Sequence, residues 1–207
     1  MAKKTPSSQR WRARQDRDVY VEEAVKGGWR SRAVFKLEQI NAKERLLRPG
    51  AKVVDLGAAP GSWSQLAARV VGETGRVWAV DVLPMEPIAG VEFVQGDFTA
   101  SETLAALRAL LGDSPVDLVL SDLAPNISGT RAMDQPRSLA LMEAALLFAE
   151  GVLKPGGDLL LKAFQGEGIE AFTKELRQRF ATVRTLKPKA SRSESREIYL
   201  LARAYGM

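Results

Sequence analysis

The chain has 207 residues, of which 45% are hydrophobic and 27% charged, the proportions of an ordinary water-soluble globular domain. It has no cysteine and no histidine, which excludes disulfides, thiolate nucleophiles, Cys or His metal ligation and imidazole acid–base chemistry. Proton transfer is left to Lys, Asp, Glu and Tyr, and no metal is expected.

The net charge of +5 is unevenly spread. Residues 1–48 hold 13 Lys or Arg against 6 Asp or Glu, residues 49–173 hold 8 against 16, and residues 174–207 hold 9 against 3. Basic ends around an acidic middle suit a polyanionic partner, nucleic acid above all. No apolar run approaches the roughly 20 residues of a membrane span. The start, Met1 to Ser8, has no apolar stretch behind its basic residues, so the expected setting is the cytoplasm, with no membrane partner.

In chain order, residues 1–17 hold Arg10, Arg12, Arg14 and Arg17 with little apolar residue to bury, which reads as a mobile basic arm. A short helix follows from Asp18 to Val25, closed by Gly27 and Gly28. A second helix is expected after a Ser31 cap, with Ala33, Val34, Leu37 and Ile40 on one face. Residues 18–50 thus precede a sheet region spanning 51–207, the two forming a single domain. Strand patterns occur at Lys52–Leu56, Arg76–Asp81, Val91–Gln95, Val116–Asp122 and Asp158–Phe164. Helical patterns occur at Ser62–Val71, Ser101–Leu111, Pro136–Val152 and Ile169–Phe180. Continuous apolar strands divided by amphipathic helices predict an α/β architecture: a mostly parallel sheet with helices on both faces. Two last strands, Thr182–Leu186 and Glu197–Ala202, are joined by the polar loop Lys187–Arg196 without a helix and are expected to pair as an antiparallel edge.

Asp55, Gly57 and Gly61 lie in the turn after the first strand, where glycines let a nucleotide-like ligand approach the backbone. The turn lacks both Gly-x-Gly-x-x-Gly and Gly-Lys-Ser/Thr, so a pyrophosphate is poorly served. Asp55 would attract a cation. Asp81 ends the second strand, where a carboxylate can accept from both ribose hydroxyls, and Asp97, before Phe98, follows the third. Together these acids describe an adenosyl ligand without phosphates, namely S-adenosyl-L-methionine. The fourth strand ends in Ser121, Asp122, Leu123, Ala124, Pro125 and Asn126, without the aromatic of adenine amino-methyltransferases. Lys162 closes an otherwise apolar strand and is either a lysine reaching solvent or a desolvated amine of lowered pKa that could take a proton. By spacing alone Lys36 reads as a solvated helix lysine and Glu197 as an edge-strand acid.

Taken together, Ser31–Leu37, Asp55–Gln65, Asp81–Met85, Gln95–Phe98, Ser121–Asn126, Lys162–Glu167 and Ser195–Tyr199 resemble, in order and spacing, the FtsJ/RrmJ family. The resemblance implies a seven-stranded Rossmann-like S-adenosylmethionine-dependent methyltransferase. Its expected reaction is methyl transfer to the ribose 2′-hydroxyl of a uridine in the A loop of 23S rRNA, with the large (50S) ribosomal subunit as partner. It further implies that Lys36, Asp122, Lys162 and Glu197 form the catalytic set, with Lys162 the proton acceptor and Lys36 holding its pKa down. By the same match Gly61, Trp63, Asp81, Asp97 and Asp122 bind the cofactor. The one departure is Ser62, where the family commonly has glycine. Alternatives are 2′-O-methylation of transfer RNA or an mRNA cap, a non-catalytic RNA-binding assembly factor, and a nicotinamide oxidoreductase, which would need the missing glycines. A monomer is expected.

Overall fold

The computed structural model describes residues 18–125, 130–192 and 194–207, with the backbone but not the side chains of 131 and 132. The basic arm 1–17 and Asn126 lie outside the described residues. Seven strands, β1 (Lys52–Leu56), β2 (Arg76–Asp81), β3 (Val91–Gln95), β4 (Val116–Ser121), β5 (Leu153–Phe164), β6 (Phe180–Leu186) and β7 (Glu197–Tyr205), form one sheet in the order β3-β2-β1-β4-β5-β7-β6. β1 to β5 pair in parallel, whereas β7 runs antiparallel to both β5 and β6. The expected antiparallel pair is present, with β7 inserted and β6 on the outside.

Six helices are described: α1 (Val19–Lys26), α2 (Val34–Glu44), α3 (Ser62–Val71), α4 (Ser101–Leu111), α5 (Arg131–Val152) and α6 (Ile169–Leu176). Strand side chains alternate between two apolar layers. On one face Val54, Leu56, Val119, Leu159, Leu161 and Leu200 pack under α4, α5 and α6. On the other, Val53, Leu118, Leu120, Leu160, Tyr199 and Leu201 pack under α2 and α3.

Several boundaries differ from expectation for local reasons. Ser31 does not cap α2; the N-cap position falls on Ala33, whose N–H donates to the Ser31 hydroxyl at 3.3 Å. α5 begins five residues before Pro136, in a turn where the Thr130 carbonyl accepts from the N–H groups of Met133 and Asp134 at 3.0 Å. Pro136 therefore sits inside the helix, near its N-terminal end, rather than starting it. α6 stops at Leu176, and Phe180 instead opens β6, its buried ring 5.4 Å from Tyr205. β5 begins at Leu153, five residues before the expected Asp158, with a register shift against β4 between Val116 and Leu118.

The chain builds β1, β2 and β3 outward and then returns to lay β4 on the other side of β1. In open α/β sheets the crevice at such a switch point, beyond the carboxyl ends of the strands, is the ligand-binding position.

Candidate active site

At that crevice lies a cleft of about 500 Å³ whose walls include Gly57, Asp81, Asp97, Phe98, Asp122 and Leu123. Gly57 has φ +77°, and a Cβ there would come within 2.8 Å of the Leu123 side chain and 3.2 Å of its Cα. Both the backbone conformation and the close approach therefore require glycine. Asp81 is held by two backbone donors, Ala59 N–H at 2.9 Å on Oδ2 and Leu83 N–H at 2.8 Å on Oδ1. A carboxylate oxygen accepts more than one bond, so both oxygens keep capacity for hydroxyls. Asp97 accepts from the hydroxyl and the N–H of Thr99 at 2.7 and 2.8 Å, and these bonds hold its carboxyl below the ordinary range. The ring of Phe98 is buried edge-on against Phe148.

Three of the residues expected to bind cofactor do not line this cleft. Asp55 is fully buried, with Oδ2 accepting from the Ser64 hydroxyl at 2.6 Å and Oδ1 without a partner among the described residues. Burial pushes its pKa up to about 7; the Ser64 bond opposes the rise, and the charges of Asp122 and Asp81 add to it. Trp63 is buried too, donating from Nε1 to the Ala33 carbonyl at 2.8 Å with its ring 5.7 Å from that of Tyr199. Gly61, at φ +106°, faces the Met85 and Ile88 side chains, each 2.7 Å from a Cβ built there. The departure at Ser62 is accommodated: its hydroxyl is buried and hydrogen-bonded to that of Ser31 at 2.8 Å.

Asp122 joins the cleft to a second cluster. Strand alternation puts Asp122, Lys162, Glu197 and Tyr199 on the sheet face covered by α2 and α3, and Lys162 is the register partner of Tyr199. Lys162 is 8% exposed in its side chain, with Nζ 2.5 Å from the Asp122 carbonyl and 3.2 Å from Asp122 Oδ1. Lys36 reaches down from α2, its Nζ 2.8 Å from both carboxylate oxygens of Glu197, which also accepts from Ser191 Oγ at 2.8 Å. The lysine expected to be solvated is thus only 15% exposed in its side chain, and the edge acid 11%. The four expected catalytic residues form two ion pairs, Lys162–Asp122 and Lys36–Glu197.

Tyr199 carries no signal of a site residue in the sequence beyond standing two residues from Glu197, and so on the same strand face. Its hydroxyl donates to Asp122 Oδ1 at 2.8 Å, and Lys36 Nζ lies 6.0 Å from its ring centroid. Burial first, then the charges of Asp122 and Glu197, raise the phenol well above its ordinary pKa, so it remains a donor. Arg30 is likewise silent in the sequence: its guanidinium donates to the carbonyls of Pro60, Glu86 and Pro87 at 3.1, 2.6 and 2.8 Å, tying the turn after β1 to the loop after β2. Arg32 reaches the Asp18 carboxylate and the Ala190 carbonyl, docking α1 and the 187–196 loop beside Lys36.

No helix among the described residues is long and apolar enough to cross a membrane. Nor does any group of three or more Asp or Glu among them make a metal site.

The FtsJ-like methyltransferase family model matches residues 29–205. The chain is 55% identical over 205 residues to Ribosomal RNA large subunit methyltransferase E of Alkalilimnicola ehrlichii, covering 99% of this chain and 98% of that one. It is 52% identical over 202 residues to the protein of the same name in Pseudomonas aeruginosa, covering 98% of each. Its fold matches a crystal structure from Plasmodium falciparum described as a ribosomal RNA methyltransferase, with TM-score 0.78 and 29% identity over 86% of this chain and 98% of that one. A family match that takes in both the acidic cleft and the paired lysines, with more than half the residues identical in full-length relatives, is decisive: the chain belongs to the FtsJ-like methyltransferase family.

Proposed function

We propose that this protein transfers a methyl group from S-adenosyl-L-methionine to the ribose 2′-hydroxyl of a uridine in the A loop of 23S rRNA, on the large ribosomal subunit in the cytoplasm. The observation that carries this reading is Asp122, which lines the cleft and also holds Lys162. The relatives' names supply the ribosomal substrate class. The cleft fits the cofactor: Asp81 and Asp97 present carboxylates to hydroxyl and amino groups, and the absence of phosphate-binding glycines matches a ligand without phosphates. When bound, the cofactor supplies an electrophilic methyl on a cationic sulfur, which an acidic cleft favours.

In this reading Lys162 is the proton acceptor. A neutral amine carries two N–H bonds, which the carbonyl and carboxylate of Asp122 can take, leaving its lone pair for the substrate hydroxyl. The 2′-oxygen would displace a neutral thioether from the methyl carbon, the carbon–sulfur bond breaking as the carbon–oxygen bond forms, while the hydroxyl proton passes to Nζ and Asp122 stabilises the resulting ammonium. Tyr199 donates to the same Asp122 carboxylate oxygen that Lys162 approaches and so helps to fix it. Lys36, held by Glu197, is a cation placed for the RNA. Orientation of the reacting oxygen can contribute roughly 7 to 11 kcal/mol to the acceleration in model reactions.

The test is transfer of a labelled methyl to undermethylated large subunits and to naked 23S rRNA, with nucleoside analysis and Lys162→Ala alongside. The expected product is 2′-O-methyluridine, reduced about 10²- to 10⁴-fold in the variant, the usual range for removal of a general base. Transfer to transfer RNA or capped RNA but to neither ribosomal substrate overturns the assignment.

A further inference from the structure

Beside the paired lysines is a pocket that the mechanism leaves unused. It has a volume of about 180 Å³ and is lined by Pro125, Asp134, Gln135, Phe164, Ser195 and Arg196. Four of these six residues stand within three positions of a residue of the site. Phe164 follows Lys162 by two positions on β5 and is the register partner of Glu197. Ser195 and Arg196 immediately precede Glu197, and Pro125 is three residues past Asp122.

Phe164 is half-buried and belongs to neither apolar layer of the sheet. A phenyl ring at a site rim that contributes to no core is the exception among the large apolar side chains of this strand, since Leu159, Leu160 and Leu161 are all fully packed. Its backbone is fixed from both sides. Gln135 Nε2 donates to the Phe164 carbonyl at 3.2 Å and to the Glu167 carbonyl at 3.0 Å. The neighbouring Gln165 donates its N–H to the Arg196 carbonyl at 2.9 Å and accepts from the Arg196 guanidinium at 3.0 Å. Gly166 leaves room for this arrangement, because a Cβ there would lie 2.7 Å from Gln135 Oε1. These bonds fix the backbone from which the ring projects.

Resting on the proposed RNA reading, we infer that this pocket receives the nucleobase of the nucleotide being methylated, stacked on Phe164. Residues two apart on a strand share a face and stand about 6.6 Å apart. That spacing matches the scale of a ribose whose 2′-hydroxyl meets Lys162 while its base extends outward. The volume is below the usual 300 to 1,000 Å³ of small-molecule sites, which suits one planar ring rather than a whole nucleotide. An aromatic face is the common means by which proteins hold an unstacked base of single-stranded RNA. Arg196 borders both this pocket and an adjoining cavity of about 660 Å³, where its charge suits the phosphate of the continuing chain.

Phe164→Ala, Phe164→Leu and Phe164→Trp are compared with the wild type for methyl transfer to undermethylated large subunits, alongside cofactor binding by calorimetry. Loss of stacking lowers kcat/KM for the subunit about ten-fold or more in the Ala and Leu variants, in line with alanine substitution at stacking aromatics. The Trp variant retains activity within a few-fold, and cofactor affinity is unchanged in all three. Leu keeps most of the apolar volume, so wild-type activity in Phe164→Leu overturns the stacking role even if Phe164→Ala misfolds. Weakened cofactor binding in both the Ala and Leu variants also overturns it, because it places the ring's effect in the other cleft. Wild-type transfer to the subunit is scored in the same assay, so failure of the ribosomal reading is seen separately; the ranking of the variants is then measured on whichever RNA is methylated.

Discussion

Asp55 is a buried carboxyl one strand away from the residues that hold Lys162. Its pKa in the folded protein is about 7, against an ordinary value of 3.8, and the main cause is burial. Between these two pH values the folded state binds a proton that the unfolded state has released, so stability falls as pH rises from about 4 to about 7 and levels off above. Asp55→Asn retains an acceptor for Ser64 and removes the charge. In urea denaturation of the cofactor-free protein, the variant gains on the wild type by about 2 to 4 kcal/mol between pH 5 and pH 8.5. A pH-independent difference between the two would show that Asp55 does not titrate in this range. Tyr199 calls for another readout, because it positions Asp122 rather than touching substrate. Tyr199→Phe preserves the ring against Trp63 and removes only the hydroxyl, which bonds to Asp122 and also interacts with Glu197. Hydrogen bonds to charged groups contribute about 1.5 to 3 kcal/mol, so kcat drops about ten-fold or more while KM for both substrates stays within about two-fold. An equal rise in KM with constant kcat would place the hydroxyl in binding.

α2 delivers Lys36 because its apolar face is sealed against the sheet. Val34 and Leu37 are fully buried and Ile40 is 3% exposed, all in the layer that also contains Tyr199. Leu37→Ala is expected to cost about 2 to 5 kcal/mol by denaturant unfolding, the range for truncating a buried leucine. A loss below about 1 kcal/mol would mean that α2 is anchored elsewhere, with the hydrogen bonds of Arg32 to Asp18 and Ala190 as the first place to look. On the sheet side, β5 and β7 act as a pair: their antiparallel register sets Lys162 against Tyr199 and Phe164 against Glu197. A one-residue slip would turn the Lys162 and Glu197 side chains to the opposite face.

Across the molecule, the basic 187–196 loop folds back beside α2 rather than trailing from the sheet. Lys187 donates to the Ser195 carbonyl at 2.7 Å, Ala190 N–H donates to Gln39 Oε1 at 3.0 Å, and Arg32 holds the Ala190 carbonyl. Basic side chains that grip phosphates release counterions on binding, so RNA affinity should fall linearly on a log–log plot against salt. Replacing Lys187 and Lys189 together by Ala lowers the magnitude of that slope by about 0.7 for each single-strand phosphate that is no longer neutralised. An unchanged slope in a filter-binding titration would move phosphate binding away from this loop.

Local pattern alone located the strands, though not the starts of β5 and β6 or the end of β7, and pointed to the mostly parallel architecture and the acids at the ends of β1, β2, β3 and β4, because hydrophobic periodicity and glycine turns are written over a few consecutive residues. It also excluded Cys and His chemistry. What it could not determine was partnership across distance. Lys36 and Glu197, 161 residues apart, look like surface charges until α2 crosses the end of β7 and joins them. Asp55 and Trp63 belong to one short motif in the sequence, and only the packing of α3 on the sheet shows that both are buried. Nothing in the local pattern marks Tyr199 beyond its spacing from Glu197, and the register of β7 on β5 places its hydroxyl on Asp122. Burial, ion pairing and a shifted pKa all depend on which atoms surround a side chain, and for this site those atoms come from elements far apart in the chain.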